Sequence, residues 1–297
     1  MDKGLNAMKE LPLTVLLVDT IPANIYLALL KKNNIRPKKI IKISSCGVAP
    51  KRRLISRVFG CFFGFYIINF FKNKKLTENR HKKYDCALKE MLSEFSISEN
   101  DIKGCLKGYS NNEIKTIYCN SINDVSVKKV LEKERNRTFL FTGGGILSDD
   151  ILNIPDSKFF HIHPGIVPEI RGADCFFWSC LIKGRPGYSV FYMNAGIDTG
   201  DILYKREYKS NLSYLEKYTL CIPDIKDLIL SYYDPCLRIT TFIEMLNELL
   251  AFDFHDGSLS NLPTTPQDEE DGRMYFFMHG LLMEEVVRMI ICPSKTS

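Results

Sequence analysis

The sequence lacks the short patterns that define several large enzyme classes. Its first predicted strand is not followed by a Gly-x-Gly-x-x-Gly dinucleotide fingerprint, and the chain contains neither a P-loop nor a Gly-x-Ser-x-Gly elbow. These motifs place phosphates or a serine nucleophile at a tight turn. Dinucleotide binding, nucleoside-triphosphate chemistry and serine hydrolysis therefore have no support.

Paired cysteines are also missing, and the first residues do not lead us to expect a secretory leader. The 10 cysteines are scattered singly, without a Cys-x-x-Cys pair, and the first apolar run, residues 13–18, has the length of a strand. Single, unpaired cysteines are typical of packed thiols in a reducing compartment. We expect a cytoplasmic protein.

The length and the amino-acid composition of the chain are typical of a globular protein. With 297 residues and 45% hydrophobic residues, it can bury a sizeable core. We predict one large domain over residues 1–215, with a basic and aromatic insertion at about 47–83, and a helical C-terminal extension over 216–297. Residues 31–83 contain sixteen Lys or Arg and a single acid, Glu78.

The insertion contains an apolar stretch at 58–71. As a helix it would be about 21 Å long, short of the roughly 30 Å hydrocarbon core. One interpretation is a helix lying on an anionic membrane, with the cations of 51–75 on lipid phosphates. The favoured interpretation is a helix buried against the body or in a homodimer interface.

Strand and helix patterns alternate along the chain. The predicted strands are 13–18, 39–44, 114–119 and 138–142, and the predicted helices are 22–31, 84–96, 125–134 and 237–250. This order predicts an α/β fold with a Rossmann-like, doubly wound, mostly parallel sheet. Such sheets place their crevices at the carboxyl ends of the parallel strands.

Two histidines and one aspartate form the candidate site. His161 and His163 stand at the end of a predicted strand, where residues i and i+2 point to one face. Asp198 follows on a turn bracketed by Gly196 and Gly200, where the backbone can take conformations that a β-carbon forbids. We expect the three side chains to share a crevice.

The segment 161–172, HIHPGIVPEIRG, and the later segment 198–202, DTGDI, resemble the signature of the folate-dependent formyltransferases. In that family the first segment reads roughly Asn-x-His-Pro-Ser-Leu-Leu-Pro-x-x-Arg-Gly. This chain departs from it at His161, which replaces the catalytic Asn, and at Gly165, which replaces Ser. The resemblance implies the formyltransferase fold and transfer of a formyl group from N10-formyltetrahydrofolate to a primary amine.

The resemblance also implies roles for the candidate residues. His163 would polarise the tetrahedral oxyanion and help to move the amine proton, while Asp198 holds its imidazole. His161 would donate a hydrogen bond in place of the Asn, and its titration would be coupled to that of His163. Residues implied to contact the folate are Gly143, Gly144, Ile146, Gly165, Ile166, Val167 and Pro168.

The acceptor and the chemistry leave alternatives. We favour a nucleotide-linked amino sugar, because the tail is too short and too lightly basic to resemble the RNA-contacting domain of tRNA-directed members; nucleic acid is not expected as a partner. The alternatives are a methionyl-tRNA formyltransferase-like enzyme, a metal-dependent hydrolase built on the two histidines and the aspartate, and a catalytically impaired folate-binding module. No resident metal is expected. Arg171 could contact an acidic substrate, but the favoured expectation is a local ion pair with Glu169.

Overall fold

The computed structural model describes residues 9–45, 82–251, 259–268 and 271–292, with 45, 250 and 251 described by their backbone alone. A seven-stranded sheet organises this part of the chain. Five neighbouring strands run parallel, and the two strands at one edge are antiparallel to their neighbours.

The elements alternate as the sequence patterns predict. The strands are β1 Lys9–Val18, β2 Ile35–Ser45, β3 Ile114–Cys119, β4 Thr138–Phe141, β5 Lys158–His163, β6 Arg171–Gly172, β7 Gly187–Tyr192, β8 Ile202–Glu207 and β9 Met274–Tyr275. Their order in the seven-stranded sheet is β3-β2-β1-β4-β5-β7-β8, so β7 and β8 form the antiparallel edge. The α-helices are α1 Ile21–Lys32, α2 Lys82–Glu94, α3 Glu99–Lys103, α4 Val125–Leu131, α5 Asp149–Leu152, α6 Cys175–Lys183, α7 Ile222–Leu228, α8 Asp234–Ala251 and α9 Gly280–Ile291. A 3-10 turn, Ser213–Tyr218, precedes α7, and a π-helical turn, Ile229–Tyr233, leads into α8.

Local sequence explains where the helices begin. Thr20 precedes α1 and accepts a hydrogen bond from the Ala23 amide, and Pro22 stands in the first turn, where its missing N–H costs nothing. Ser98 and Asp101 form a reciprocal capping box at α3. Polar caps at these points satisfy amides that the first turn leaves without partners.

Helices cover the sheet on both sides because strand residues alternate between its faces. Along β4, Phe139 and Phe141 belong to one apolar cluster, with residues of α4 and α5, while Leu140 belongs to the other, with residues of α1 and α8. Strands buried on both faces are typical of parallel sheets. The predicted doubly wound α/β fold is therefore confirmed.

The edge of the sheet beyond β5 is antiparallel, and this arrangement positions the site. β7 runs back along β5, pairing Phe191 with His161 and Ser189 with His163. The chain therefore returns past the histidine strand before it reaches the turn that carries Asp198. This antiparallel edge was not part of the sequence prediction.

Residues beyond 215 are integral to the core. Helix α8 packs against α1 and against β5, β7 and β8, and its buried Phe242 and Leu246 lie in the same apolar cluster as β1. The division at 215 stays a prediction. The insertion at about 47–83 lies almost wholly outside the described residues, as do both interpretations of 58–71. Among the helices of the described ranges, none is both long and apolar enough to cross a membrane.

A buried ion pair anchors α8 beneath the sheet. The Asp234 side chain is 1% exposed and accepts hydrogen bonds from Arg238 Nε at 2.9 Å and from the Tyr188 hydroxyl at 3.1 Å. A buried carboxylate needs such partners because it has lost its hydration. This network joins the first turn of α8 to β7.

Asp234→Ala tests that anchor. We expect it to lower the free energy of unfolding by about 3 kcal/mol, because it leaves the Arg238 guanidinium largely buried without its counter-charge. Asp150→Ala removes a carboxylate whose side chain is 84% exposed in its pair with Lys128, and should change stability by less than about 0.5 kcal/mol. Urea unfolding measures both. Equal decreases in the free energy of unfolding for the two variants would show that the Asp234 and Arg238 pair does not stabilise the fold more than a surface pair does.

Candidate functional site

His163 lies at the end of β5 with both ring nitrogens in contact. Its side chain is 3% exposed, and Nε2 lies 3.0 Å from the Ile170 carbonyl oxygen. A carbonyl only accepts hydrogen bonds, so Nε2–H donates. On the other side of the ring, Nδ1 lies 3.4 Å from Asp198 Oδ2. The ring is therefore held between a backbone carbonyl and a carboxylate.

Asp198 reaches the histidine from a separate loop, and the loop is held in two ways. Its Oδ2 accepts a hydrogen bond from the Gly172 amide at 2.9 Å, and its carbonyl accepts one from Gln267 Nε2 at 3.0 Å. The same Gln267 nitrogen donates to the Gly200 carbonyl at 2.6 Å. Two segments distant in sequence, at Gly172 and Gln267, thus hold the side chain and the backbone of the Asp198 loop.

The conformation of this turn differs from the one expected. Asp198 itself takes the left-handed backbone, with φ of 54°, whereas Gly196 and Gly200 do not have positive φ. Aspartate tolerates this region better than most residues. The glycines are required instead by close approach: a β-carbon on Gly200 would lie 1.7 Å from the Tyr192 carbonyl oxygen.

His161 stands two residues before His163 on the same face of β5, as strand alternation predicts. Its ring packs edge-on to Phe191, with centroids 5.5 Å apart, and its Nδ1 is buried without a hydrogen-bond partner. The rings of the two histidines are 6.3 Å apart. The structure therefore brings His161, His163 and Asp198 together, and the roles expected of them stay predictions.

Burial keeps both imidazoles neutral. Burial, with a smaller contribution from the nearby Arg238 charge, lowers the pKa of His163 from 6.5 to about 3. Burial also lowers the pKa of His161 to about 3, against the opposing attraction of Asp198. At His161 desolvation thus outweighs the attraction of the carboxylate, and at neutral pH both imidazoles are uncharged.

These side chains open into a cavity of about 550 Å³. Its walls include His161, His163 and Asp198, together with the Arg238 side chain, the loop after β4 and the segment 274–277. A cavity of this size, mostly apolar with a few convergent polar groups, is typical of a small-molecule site.

The glycine-rich loop after β4 forms part of the cavity wall. Gly144 and Ile146, both expected to contact a folate, line the cavity, as does Gly145. Asn123 holds the loop: its Nδ2 donates to the Ile146 carbonyl at 2.9 Å and its Oδ1 accepts from the Ser148 amide at 2.8 Å. Asn123 therefore tethers the loop that precedes α5.

The other residues expected to contact a folate are not on this wall. Gly143 packs on Phe141 and Val18, and Val167 is buried against Phe191 and Ile202. The remaining residues of this set, which also lie away from the cavity wall, are Gly165, Ile166 and Pro168.

The segment Gly165–Pro168 shapes the His163 contact instead. The buried Ser189 hydroxyl donates to the Gly165 carbonyl at 2.8 Å and accepts from the Val167 amide at 3.0 Å. A β-carbon on Gly165 would lie 2.5 Å from the Ile170 carbonyl oxygen and 2.9 Å from His163 Nε2. Glycine at this position is therefore required for the bond between His163 and Ile170.

The expected Glu169 to Arg171 ion pair is wrong. Glu169 pairs with Lys183 on α6, and the two atoms are in very close contact. Arg171 is buried, with Nε and Nη2 lacking partners, and Gly272 lies directly against its guanidinium. The two side chains separate because β6 directs Arg171 inward while Glu169 remains exposed.

The C-terminal part of the chain supplies a wall that sequence reasoning missed. Residues 273–278, here called the strap, run beside β6: the Arg171 amide donates to the Arg273 carbonyl and the Ala173 amide donates to the Tyr275 carbonyl. Trp178 Nε1 donates to the Phe276 carbonyl at 2.9 Å. Phe276 and Phe277 line the cavity yet are 78% and 84% exposed. The two exposed phenylalanines, the first held through its carbonyl, form an apolar surface of the kind that contacts a ligand.

Comparison with known proteins agrees with the motif. Residues 123–212 match the family model described as formyl transferase. The methionyl-tRNA formyltransferase of Syntrophus aciditrophicus is 36% identical over 89 residues, 29% of this chain and 28% of that protein. The methionyl-tRNA formyltransferase of Geobacter sulfurreducens is 43% identical over 65 residues, 21% of this chain and 20% of that protein.

Two solved structures extend the comparison. A sugar N-formyltransferase from Shewanella sp FDAARGOS_354 has 14% identity and a TM-score of 0.46, covering 96% of this chain and 88% of that chain. The methionyl-tRNA formyltransferase from Clostridium thermocellum has 14% identity and a TM-score of 0.34, covering 67% and 70%. At these scores the fold assignment depends on the sheet topology described above.

The matched segment contains the whole candidate site apart from Arg238, Gln267 and the strap. Residues 123–212 are similar to formyl transferases over the length of that match, which confirms the resemblance seen in the motifs. The matches span at most 28% of the two relatives' own length, so the activity of the complete chain is a matter for proposal.

The neutral histidines predict a loss of stability in acid. Both have a pKa near 3 in the folded chain and 6.5 ordinarily, so the unfolded chain binds protons that the folded chain does not. As far as these two groups are concerned, the free energy of unfolding is highest above pH 6.5 and decreases as the pH falls toward 3. We expect His161→Asn to reduce the slope of unfolding free energy against pH, near pH 5, by about 1.4 kcal/mol per pH unit, one proton.

Urea unfolding at several pH values between 4 and 7.5 gives the slopes. His279→Asn is the matched control, because His279 is exposed at the start of α9, away from the cavity. Equal slopes for the native chain and His161→Asn would show that His161 titrates normally in the folded state.

Proposed function

We propose that the chain transfers a formyl group from N10-formyltetrahydrofolate to the primary amine of a small molecule, a nucleotide-linked amino sugar. The observation that carries the proposal is the convergence of Asp198 Oδ2 and His163 Nδ1, 3.4 Å apart, in a cavity whose wall includes the glycine-rich loop. The family match over 123–212 supports the same chemistry.

The contacts of His163 define which side of the ring takes part. Nε2 is held by the Ile170 carbonyl, so the lone pair of the neutral ring is on Nδ1, facing Asp198. When the acceptor amine attacks the formyl carbon, a carbon–nitrogen bond forms and the amine nitrogen becomes acidic. Its proton passes to the Nδ1 and Oδ2 pair, where the resulting imidazolium is neutralised by the carboxylate.

Collapse of the tetrahedral intermediate breaks the bond between the formyl carbon and N10 of the folate. The proton held by the His163 and Asp198 pair is then delivered to N10, so the products are a formamide and tetrahydrofolate. His161, which lines the same cavity, takes the place of the family's Asn and donates a hydrogen bond to the oxyanion. Such a donor contributes roughly 3 kcal/mol in well-studied acyl-transfer sites.

The cavity mouth favours a small acceptor over a tRNA. Among the described residues that line it, the large exposed side chains are apolar: Ile146, Ile197, Met274, Phe276 and Phe277. Binding a tRNA depends on clustered cations that contact phosphates, and the one Lys or Arg among these lining residues, Arg238, is paired with Asp234. Two observations favour the methionyl-tRNA alternative: the similarity to the two methionyl-tRNA formyltransferases named above, and the basic residues in the sequence at 51–75.

Formyl transfer is tested with Asp198→Asn, which suits the left-handed backbone at 198 and keeps an oxygen for the Gly172 amide. We expect kcat to fall at least about 10³-fold with little change in thermal stability, because the amide cannot share the amine proton. Formamide production is followed by mass spectrometry with N10-formyltetrahydrofolate and a panel of sugar-nucleotide amines, and with methionyl-tRNA.

The panel separates the alternatives. If formyl is transferred to methionyl-tRNA alone, the acceptor is the tRNA and not an amino sugar. If the chain binds folate but formylates no amine, it is a folate-binding module and not an enzyme. Full activity of Asp198→Asn would show that the Asp198 carboxylate is not needed to accept the amine proton.

Phe277 tests the strap as a ligand contact. We expect Phe277→Ala to raise the KM of at least one substrate about tenfold, with kcat changed less than twofold, because a planar ring loses its apolar contact. Leu281→Ala is the matched control: Leu281 is 70% exposed and lies off the cavity wall. Unchanged KM values for both substrates would assign Phe277 no part in binding.

A further inference from the structure

The candidate site contains more hydrogen-bond acceptors than donors. Because Nε2–H of His163 donates to the Ile170 carbonyl, Nδ1 of the neutral ring carries a lone pair. That lone pair faces Asp198 Oδ2 at 3.4 Å, and Oδ2 is itself an acceptor for the Gly172 amide. Two acceptors therefore face one another, an arrangement that is stable only when a proton or a cation lies between them.

His161 adds a further nitrogen to this arrangement. Its Nδ1 is buried without a partner, a rare condition for a buried polar atom. One ligand atom from each of His161, His163 and Asp198 can be chosen so that all three lie within 4.8 Å of one another. Within the described parts of the chain, no other group of three His, Cys, Asp or Glu side chains converges in this way.

We propose that His161, His163 and Asp198 bind a divalent transition-metal ion of the Zn²⁺ type. Two ligands on a tetrahedral zinc at about 2.0–2.1 Å are about 3.4 Å apart, the separation of Nδ1 and Oδ2 here. This differs from the expectation of no resident metal. The replacement of the family's Asn by His161 supplies the second nitrogen.

The donor set selects the class of ion. Two imidazole nitrogens and one carboxylate suit zinc, cobalt or nickel, whereas magnesium and calcium prefer oxygen ligands. The local charge also fits: the site contributes the Asp198 carboxylate, and the nearby Arg238 cation is paired with Asp234. A second-layer contact is present, since the Ile170 carbonyl orients the His163 ring.

One consequence depends on the proposed function. An ion on Nδ1 and Oδ2 occupies the positions that accept the amine proton, so metal binding and formyl transfer exclude one another. The ion would act as a reversible inhibitor. The ligand geometry alone supports the metal site, and metal binding can be measured without any folate.

The test is a titration of chelator-stripped protein with CoCl₂, followed by visible absorption, and with ZnCl₂, followed by calorimetry. We expect one ion per chain and the intense absorption bands of tetrahedral cobalt. His161→Asn and Asp198→Asn should each weaken binding at least about tenfold. His279→Asn, which changes an exposed histidine away from the cavity, should bind as the native chain does. Absence of stoichiometric binding, or native affinity in His161→Asn, overturns the site.

His161→Cys is the control for the possibility that the other variants lose the metal only because they fail to fold. A thiolate at 161 is also a zinc or cobalt ligand, so binding should persist with a new sulfur-to-cobalt charge-transfer band. Binding without that band would show that residue 161 is not a ligand. A chain that binds the ion but formylates no amine would refute the proposed function and leave the metal site standing.

Discussion

The Asp198 carboxylate is the constraint on which the site depends. It accepts the Gly172 amide at 2.9 Å while lying 3.4 Å from His163 Nδ1, so it joins the loop after β7, strand β6 and the end of β5. Asp198 holds this place in the left-handed backbone, a conformation that persists only where surrounding contacts enforce it. Gln267 provides two such contacts, to the carbonyls of residues 198 and 200. The carboxylate position is therefore determined by tertiary contacts as well as by the local turn.

Burial has the next largest effect on the chemistry. A carboxylate close to an imidazole normally favours the charged ring, but desolvation of His161 and His163 is stronger here and lowers both pKa values. The folded chain thus holds two neutral imidazoles and one carboxylate, an arrangement poised to accept a cation. A proton delivered by a reacting amine and a divalent metal ion satisfy the same lone pairs, which is why one geometry supports both proposals.

The sequence predicted the features that depend on short-range regularity. Strand alternation placed His161 and His163 on one face, and the spacing of apolar residues gave the order of β1, α1 and β2. The turn at 196–200 was recognised, but the left-handed residue proved to be Asp198, because the glycines serve close packing against Thr199 and the Tyr192 carbonyl. The glycine-rich composition predicts the turn, but tertiary contacts determine which of its residues takes the left-handed backbone conformation.

Long-range contacts gave no such signal. Gln267 lies 69 residues from the carbonyl it holds, and Trp178 lies 98 residues from Phe276. Neither residue belongs to a periodic pattern, and a two-residue strand such as β9 is too short to alternate visibly. The segment beyond 258 was predicted as part of a helical C-terminal extension, and its described residues complete the cavity and hold the Asp198 loop through Gln267. The family-like segment 123–212 therefore supplies the reactive groups, while the wall that meets the ligand comes from a part of the chain outside that match. Because ligand selectivity depends on walls more than on reactive groups, the features that distinguish this chain's substrate should be sought in the strap and not in the shared motif.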